Sequence, residues 1–442
     1  MAIDTRWETT RSTAIDDGGD GEWFDAVHAV HQRMLQDMDP NALEKLDRTR
    51  AQEAVSVAAR QLVTQMFPSL LGDDRERVIK RVIDEAIGFG PMQPLIDDDS
   101  VSEIMVNAPE EIYFERDGII YLSPLRFRDT EHVMRVIERI IAPVGRRVDE
   151  SSPYVDARLP DGSRVNIVIP PLVPRSPTIT VRKFRRERFK MEDLIANETV
   201  DERIAEFLRA CVKQRVNIVI SGGTGTGKTT LLNALSAYIP ARERIVSIED
   251  PIEMKLQQPH VVAMEARPPN IEGRNEVTQR DLVRNALRMR PDRIIVGEVR
   301  GAEAFDMMQA MNTGHEGSLT TIHANSPRDA LIRIENMVMM AGFDLPVRAI
   351  REQIAAALDL IIQIARFPDG RRRLIQITEI TGRESDTVTT QDLFSFRQDR
   401  MDEDGRIIGA LEPTGIMPTF ADEFARNGVV LDLLGLQPEA VR

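Results

Sequence analysis

Gly222, Gly223, Thr224, Gly225, Thr226, Gly227, Lys228 and Thr229, followed by Thr230, carry the spacing of a loop that wraps phosphates. Glycines let backbone N–H groups turn towards an anion, and a helix N-terminus behind them holds negative charge. A lysine at this position reaches β- and γ-phosphates, and the next hydroxyl suits Mg²⁺. Residues 216–220 are a short apolar run, and TLLNAL follows the loop, so strand, loop and helix are expected in the required order. The cofactors implied are a nucleoside triphosphate and Mg²⁺, with Thr229 on the metal, and the loop alone leaves ATPase, GTPase, kinase and helicase open.

Hydrolysis needs carboxylates at the ends of neighbouring strands, where they can polarise water or hold a metal's water shell. Two apolar runs end that way: residues 244–253, which include Glu249, Asp250 and Glu253, and residues 292–300, which include Gly297 and Glu298. Glu298 is the candidate base that activates water. Glu249 is the second carboxylate, orienting water or reaching the metal through water, with Asp250 as its rival. A third segment, residues 314–325, ends near His323, a candidate hydrogen-bond donor to the γ-phosphate, while His315 reads as structural. No NKxD motif for reading guanine occurs, which disfavours a GTPase.

These groups need a scaffold, and 442 residues at roughly 150 per domain suggest about three domains. The chain is 42% hydrophobic and 29% charged, a globular composition. With 57 basic and 71 acidic residues its net charge is −14, and only 5% of residues are aromatic. Both features oppose general nucleic-acid binding, so no direct nucleic-acid partner is expected. One cysteine, Cys211, falls on the helical stripe of Ile204, Phe207, Leu208 and Val212 and reads as a core thiol. No apolar run approaches the ~18 residues of a membrane span, and the opening MAIDTRWETTRST lacks an apolar signal core, so an intracellular protein is expected.

Residues 1–22 are expected to be a disordered acidic tail, because residues 1–40 hold nine acidic and three basic side chains. Residues 23–87 read as a helical region, with Val78, Val82, Ile83 and Ala86 on one face behind Asp73 and Asp74. Residues 88–185 read as a mixed α+β domain, with a hairpin turn at Asp117-Gly118 and a helix over Thr130 to Ile141. From 186 to 442 helices alternate with short apolar strands, the pattern of a parallel sheet covered on both faces. Between the two, residues 181–190 hold six basic side chains.

The order of phosphate loop, acidic box at 244–253, Gly-Glu strand at 292–298 and histidine box at 313–325 resembles the traffic ATPases of type II and type IV secretion systems. At finer grain, GRRVDESSPYVDARLPDGSRVN (145–166), ARPPNIEG (266–273), residues 280–331 and LPVRAIREQI (345–354) resemble the CpaF family, the assembly ATPases of tight-adherence (Flp) pili. The resemblance covers roughly residues 75–435. It implies an α/β fold, a RecA-like P-loop ATPase domain preceded by a PAS-like α+β domain and the N-terminal helical region. It also implies a homohexamer with ATP at domain and subunit junctions, working on inner-membrane platform proteins from the cytoplasmic side. Arg158, Arg164 and Arg182 occupy positions whose arginines reach the nucleotide in that family. A guanidinium delivered by a closing interface can stabilise transition-state charge. Their alternative is a surface ion pair with Asp149, Asp156 or Asp161.

The leading expectation is therefore a Mg-dependent ATPase motor that extrudes or retracts pilin. The alternatives are a type IV secretion or conjugation ATPase, a nucleic-acid translocase, and a silent scaffold, which the intact Lys228, Thr229, Glu249 and Glu298 oppose.

Overall fold

In a computed structural model, residues 20–37, 48–116, 118–183, 189–269, 274–402 and 405–429 are described. The expected tail falls outside them up to position 19, while residues 20–22 belong to a helix rather than to a disordered tail; Asp117, positions 184–188 of the basic stretch, and 270–273 of the ARPPNIEG segment also lie outside. The chain divides into two units, residues 1–186 and 187–442.

The first unit begins with three helices, α1 (Asp20–Asp37), α2 (Arg48–Met66) and α3 (Gly72–Ile87). Val30, Met34, Val55, Ala59, Val63, Val78, Ile79 and Val82 close a small core between them. Asp73 and Asp74 occupy the first turn of α3, where carboxylates complement the helix dipole. Of the expected face, Val78 and Val82 are buried together with Ile79, while Ile83 and Ala86 are half-buried. A short helix α4 (Gln93–Asp97) leads into β1 (Val101–Ala108), β2 (Glu111–Arg116) and β3 (Ile119–Leu122). Helix α5 (Thr130–Ile141) follows, capped by Asp129, whose carboxylate accepts the His132 N–H at 2.7 Å. It buries Val133, Val136, Ile137, Ile140 and Ile141, as its spacing predicts. Strands β4 (Tyr154–Arg158), β5 (Arg164–Val168) and β6 (Thr178–Arg182) complete an antiparallel sheet of order β3-β2-β1-β6-β5-β4. This is the mixed α+β domain expected from the sequence, and α3 is tied to it: Arg139 Nη1 donates to the Glu85 carbonyl at 2.9 Å, and His132 Nε2 lies 2.8 Å from Glu85 Oε2.

The second unit contains α6 (Met191–Ala196), α7 (Glu202–Lys213), β7 (Ile218–Gly222), α8 (Lys228–Ser236), β8 (Ile245–Glu249), β9 (Val261–Glu265), α9 (Gln279–Ala286), β10 (Arg293–Val296), α10 (Glu303–Asn312) and β11 (Leu319–Ile322). It continues through α11 (Pro327–Met339), α12 (Val347–Ala357), β12 (Leu360–Arg366), β13 (Arg372–Glu384), β14 (Thr387–Met401), β15 (Ile407–Pro413) and α13 (Ala421–Arg426). The sheet order is β15-β14-β13-β12-β7-β11-β10-β8-β9. From β12 to β9 all neighbours are parallel, the RecA-like arrangement expected. Phe207, Leu208, Cys211, Leu231 and Leu232 pack one face of it, so Cys211 is a core thiol. The second face is covered by Val283, Ala304, Met308, Ile334 and Ile354. The expectation of short parallel strands alone is corrected beyond β12, where β13, β14 and β15 form a long antiparallel ribbon. Its outward positions are polar and charged, the pattern of an antiparallel ribbon with one solvated face rather than of a buried parallel strand.

The lower edge of the parallel sheet closes on Arg293, 0% exposed. Its Nε bonds Glu243 Oε2 at 2.6 Å, Nη1 donates to the Gly317 carbonyl at 3.1 Å, and Nη2 to the Val212 carbonyl at 2.9 Å. Gly317, at φ +78°, has no room for a side chain, since a Cβ would lie 1.7 Å from Arg293 Nη1. Arg293→Ala is expected to lower stability by roughly 3 kcal/mol, by removing the buried partner of Glu243, which keeps only the half-exposed Arg215 at 3.1 Å, and by stripping the Gly317 and Val212 carbonyls of their donor. Gly317→Ala should act in the same direction, and the pair Arg293→Met with Glu243→Leu should recover much of the loss, all read by calorimetric melting.

Candidate active site

The phosphate loop joins β7 to α8 as its sequence predicts. Gly225 and Gly227 adopt φ +70° and +97°, left-handed values that glycine takes without strain, and Gly227 caps α8. Gly222 is required by close approach, since a Cβ there would lie 2.5 Å from the Ile364 carbonyl oxygen on β12. Thr226 Oγ1 and Lys228 Nζ each donate to the Gly223 carbonyl at 2.9 Å, so the lysine is held over the loop. Thr229 and Thr230 occupy the first turn of α8, beside its open N–H groups.

Parallel register brings the other predicted groups to the same edge. Ile322 of β11 pairs with Ser221 of β7, Val296 of β10 with Thr320, and Val296 with Ile248 of β8. The residues that follow, Glu249, Gly297, Glu298 and His323, therefore emerge in a row at the carboxyl ends of the strands. Thr321 Oγ1 donates to the Gly297 carbonyl at 2.7 Å, and the Gly297 N–H to the Ile248 carbonyl at 2.8 Å. The turn that carries Glu298 is thus stitched to both neighbouring strands.

Glu249 is 3% exposed. Its Oε2 accepts the Glu253 and Met254 backbone N–H groups at 2.7 and 2.8 Å, while Oε1 is buried with no partner. Burial pushes its pKa up from the ordinary 4.5, although those two bonds pull it down. A carboxylate locked through one oxygen and open at the other suits a bound water or a metal's water shell. Its rival Asp250 is exposed at the strand end. A side chain at Gly297 would press on Glu249, with Cβ 2.9 Å from its Cγ.

Glu298 is 27% exposed and receives Arg300 Nε at 2.9 Å and Nη2 at 2.6 Å, both on Oε2. The backbone N–H groups of Arg300 and Gly301 are in turn held by Glu303 Oε1 at 2.6 and 2.8 Å. Neither Arg300 nor Glu303 was expected from sequence, and their only signal was closeness in sequence to Glu298. His323 is half-buried at the end of β11. The His315 N–H donates to the Ala310 carbonyl at 3.3 Å and its own carbonyl accepts Ser318 Oγ at 2.8 Å, the bonds of a turn residue.

In the first unit, Arg158 lies opposite Arg164 and Arg164 opposite Arg182. Opposed residues of antiparallel strands share a face, so three predicted cations that are far apart in sequence form one row. Glu103 stands opposite Arg182, with Arg182 Nε 3.8 Å from its Oε1. Of the expected partners, Asp149 pairs with Arg147, Asp156 accepts from Asn166 and Asp161 from Ser163. Like charges set side by side oppose folding unless anionic groups offset them, as Glu103 does at the Arg182 end of the row.

The residues present fit a Mg-nucleotide. The glycine positions are enforced by geometry, the loop's lysine and helix N-terminus favour phosphate, and Thr229 with the unpartnered Glu249 oxygen offers oxygen donors of the kind Mg²⁺ takes. Among the described residues, no cluster of three or more His, Cys, Asp or Glu could hold a metal alone, and no helix is long and apolar enough to cross a membrane.

Residues 85–402 match the type II/IV secretion system protein family. The chain is 38% identical over 315 residues, 70% of its length and 89% of the relative's, to a putative conjugal transfer protein of Mycobacterium tuberculosis. It is 34% identical over 323 residues, 65% of its length and 92% of the relative's, to the type IV secretion system protein PtlH of Bordetella pertussis. Among solved structures, the VirB11 ATPase of the Brucella suis type IV secretion system, in complex with sulphate, is 29% identical, with 65% of this chain and 94% of that one covered and a TM-score of 0.36.

Gly297→Ala is expected to displace the Glu249 carboxylate, lowering ATP turnover at least tenfold at a stability cost of roughly 1–3 kcal/mol. Burial raises the Glu249 pKa, so lowering the pH protonates it earlier than an exposed carboxylate. The acid limb of kcat/KM should accordingly fall above pH 4.5, as a pH series on the wild type would show.

Proposed function

This chain belongs to the type II/IV secretion system protein family and is a P-loop ATPase, and we propose that it is the Mg-dependent motor of a pilus assembly system, working as a homohexamer on inner-membrane platform proteins from the cytoplasmic side. The observation that carries the reading is the row at the strand ends, where the phosphate loop, a locked carboxylate with one open oxygen, a second carboxylate and a histidine meet. Lys228 and the loop N–H groups hold the phosphates of ATP, and Thr229 with Glu249, through water, holds Mg²⁺. When bound, the metal neutralises charge on the phosphate oxygens. Glu298, aimed by Arg300, accepts the proton of the attacking water, and His323 donates to the γ-phosphate. Arg158, Arg164 and Arg182 supply positive charge to the nucleotide as the ring closes, coupling hydrolysis to domain movement.

The relatives favour a second reading, a type IV secretion or conjugal transfer motor with the same chemistry, because two of them carry those names. A nucleic-acid translocase has less support, given the net charge of −14.

Glu298→Gln should lower kcat about 100-fold or more with little change in nucleotide affinity, whereas Lys228→Ala should lose nucleotide binding itself. Either variant turning over ATP within twofold of wild type would refute its assigned role. Native mass measurement with Mg-ATP should give six copies. In the producing cell, Glu298→Gln should abolish surface pili and leave conjugation intact; the opposite pattern selects the second reading, and turnover stimulated by added DNA selects the translocase.

A further inference from the structure

Three arginines stand in succession where β13 begins, Arg371 just before it and Arg372 and Arg373 as its first residues. Side chains alternate across an extended chain, so the first and third point one way and the second the other. Arg371 Nη1 and Arg373 Nη2 both meet Glu198 Oε2, the latter at 3.0 Å. Glu198 lies just past α6, in the segment that enters the second unit, and its φ is +57°, a strained value for a residue with a side chain. The same segment is clipped to β13 through the backbone, the Leu374 N–H donating to the Thr199 carbonyl at 3.1 Å. On the other side, Arg372 Nε donates to the Gly225 carbonyl at 2.9 Å, and its Cδ lies 3.3 Å from where a Gly227 Cβ would stand. One side chain therefore touches both left-handed glycines of the phosphate loop.

We propose that Arg372 is a positioning residue for the phosphate loop, and that Glu198, through Arg371 and Arg373, sets it, so the segment entering the ATPase unit governs nucleotide affinity. The argument rests on the loop being the nucleotide site. Lys228 must leave the Gly223 carbonyl to reach phosphate, and this removes one of the bonds that shape the loop. The Arg372 bond comes from outside the loop and persists, keeping the tip in its left-handed shape when the lysine moves. A displacement of the entering segment pulls on Glu198, shifts the start of β13 and loosens the Gly225 contact. Nucleotide affinity then responds to the position of a segment that touches no phosphate.

The test is titration of the full-length protein with a fluorescent ADP, beside melting curves without nucleotide. Arg372→Ala should raise Kd about tenfold, the order expected when a hydrogen bond from a charged donor is lost. Arg372→Lys should restore most of that affinity, since an ammonium still donates to a carbonyl. Glu198→Ala should raise Kd about threefold and add nothing in the Arg372→Ala background, because both act through one contact. The proposal is overturned if Arg372→Ala binds within twofold of wild type, if the two effects multiply, or if Glu198→Ala lowers the melting temperature and leaves Kd unchanged. Lys228→Ala separates the two layers. Failure of the wild type to bind the probe sinks the nucleotide site itself, while wild-type binding lost in Lys228→Ala but kept in Arg372→Ala sinks only the positioning role.

Discussion

The parallel sheet depends on one buried guanidinium. Arg293 is enclosed at the foot of β10, and its three bonds reach Glu243 before β8, Val212 at the end of α7 and Gly317 before β11. A lone charge in such a place would be costly, so it persists only because a carboxylate and two carbonyls satisfy it. The strands above it are short, four residues each in β10 and β11. Over so few residues hydrophobic matching alone specifies register weakly, and a slip of one position would turn every side chain over. By fastening the bases of neighbouring strands, Arg293 fixes where their far ends emerge.

Those far ends carry the proposed site. The carboxyl edge of an open α/β sheet is the usual place for ligands, because backbone N–H groups and short turns converge there. Two kinds of polar group share it here. Glu249 is buried and immobilised, and Glu298 is partly open and steered by Arg300. Burial separates their environments although both are carboxylates on adjacent strands, and separate environments allow different tasks. The fixed carboxylate suits a constant geometry, and the more exposed one suits a group that exchanges protons with water.

Local features were legible in the sequence. The phosphate loop depends on spacing within eight residues, and the stripe on α5 on a single helical period, so neither needed tertiary information. The parallel sheet followed from helices alternating with apolar strands, and its RecA-like character from the family resemblance. The antiparallel ribbon was missed because the helix-and-strand alternation of the parallel sheet was carried to the end of the chain, although the half-polar strands there suit a sheet with one solvated face. Glu249 and Asp250 are neighbours of one chemical type, and only burial distinguishes them. Arg158, Arg164 and Arg182 could be named as motif residues, but their standing in one row is a property of strand register. Arg372 and Arg300 were invisible because their partners are a backbone carbonyl far away in sequence and a carboxylate two residues away, and neither leaves a pattern.

The two glycines beside the site are protected from mutational drift by different means. At Gly297 an added methyl meets a side chain, that of Glu249, and a neighbour of this kind can be shortened. Repair is therefore sterically open there but removes the carboxylate, so chemistry guards the position. At Gly222 the obstacle is the backbone oxygen of Ile364 on the next strand, which no exchange of side chain can shorten. Only a rearranged pairing of β7 with β12 would make room, and that would move the phosphate loop itself. Position 222 is thus closed to gradual change whatever reaction the loop serves, whereas position 297 is closed only while Glu249 is in use.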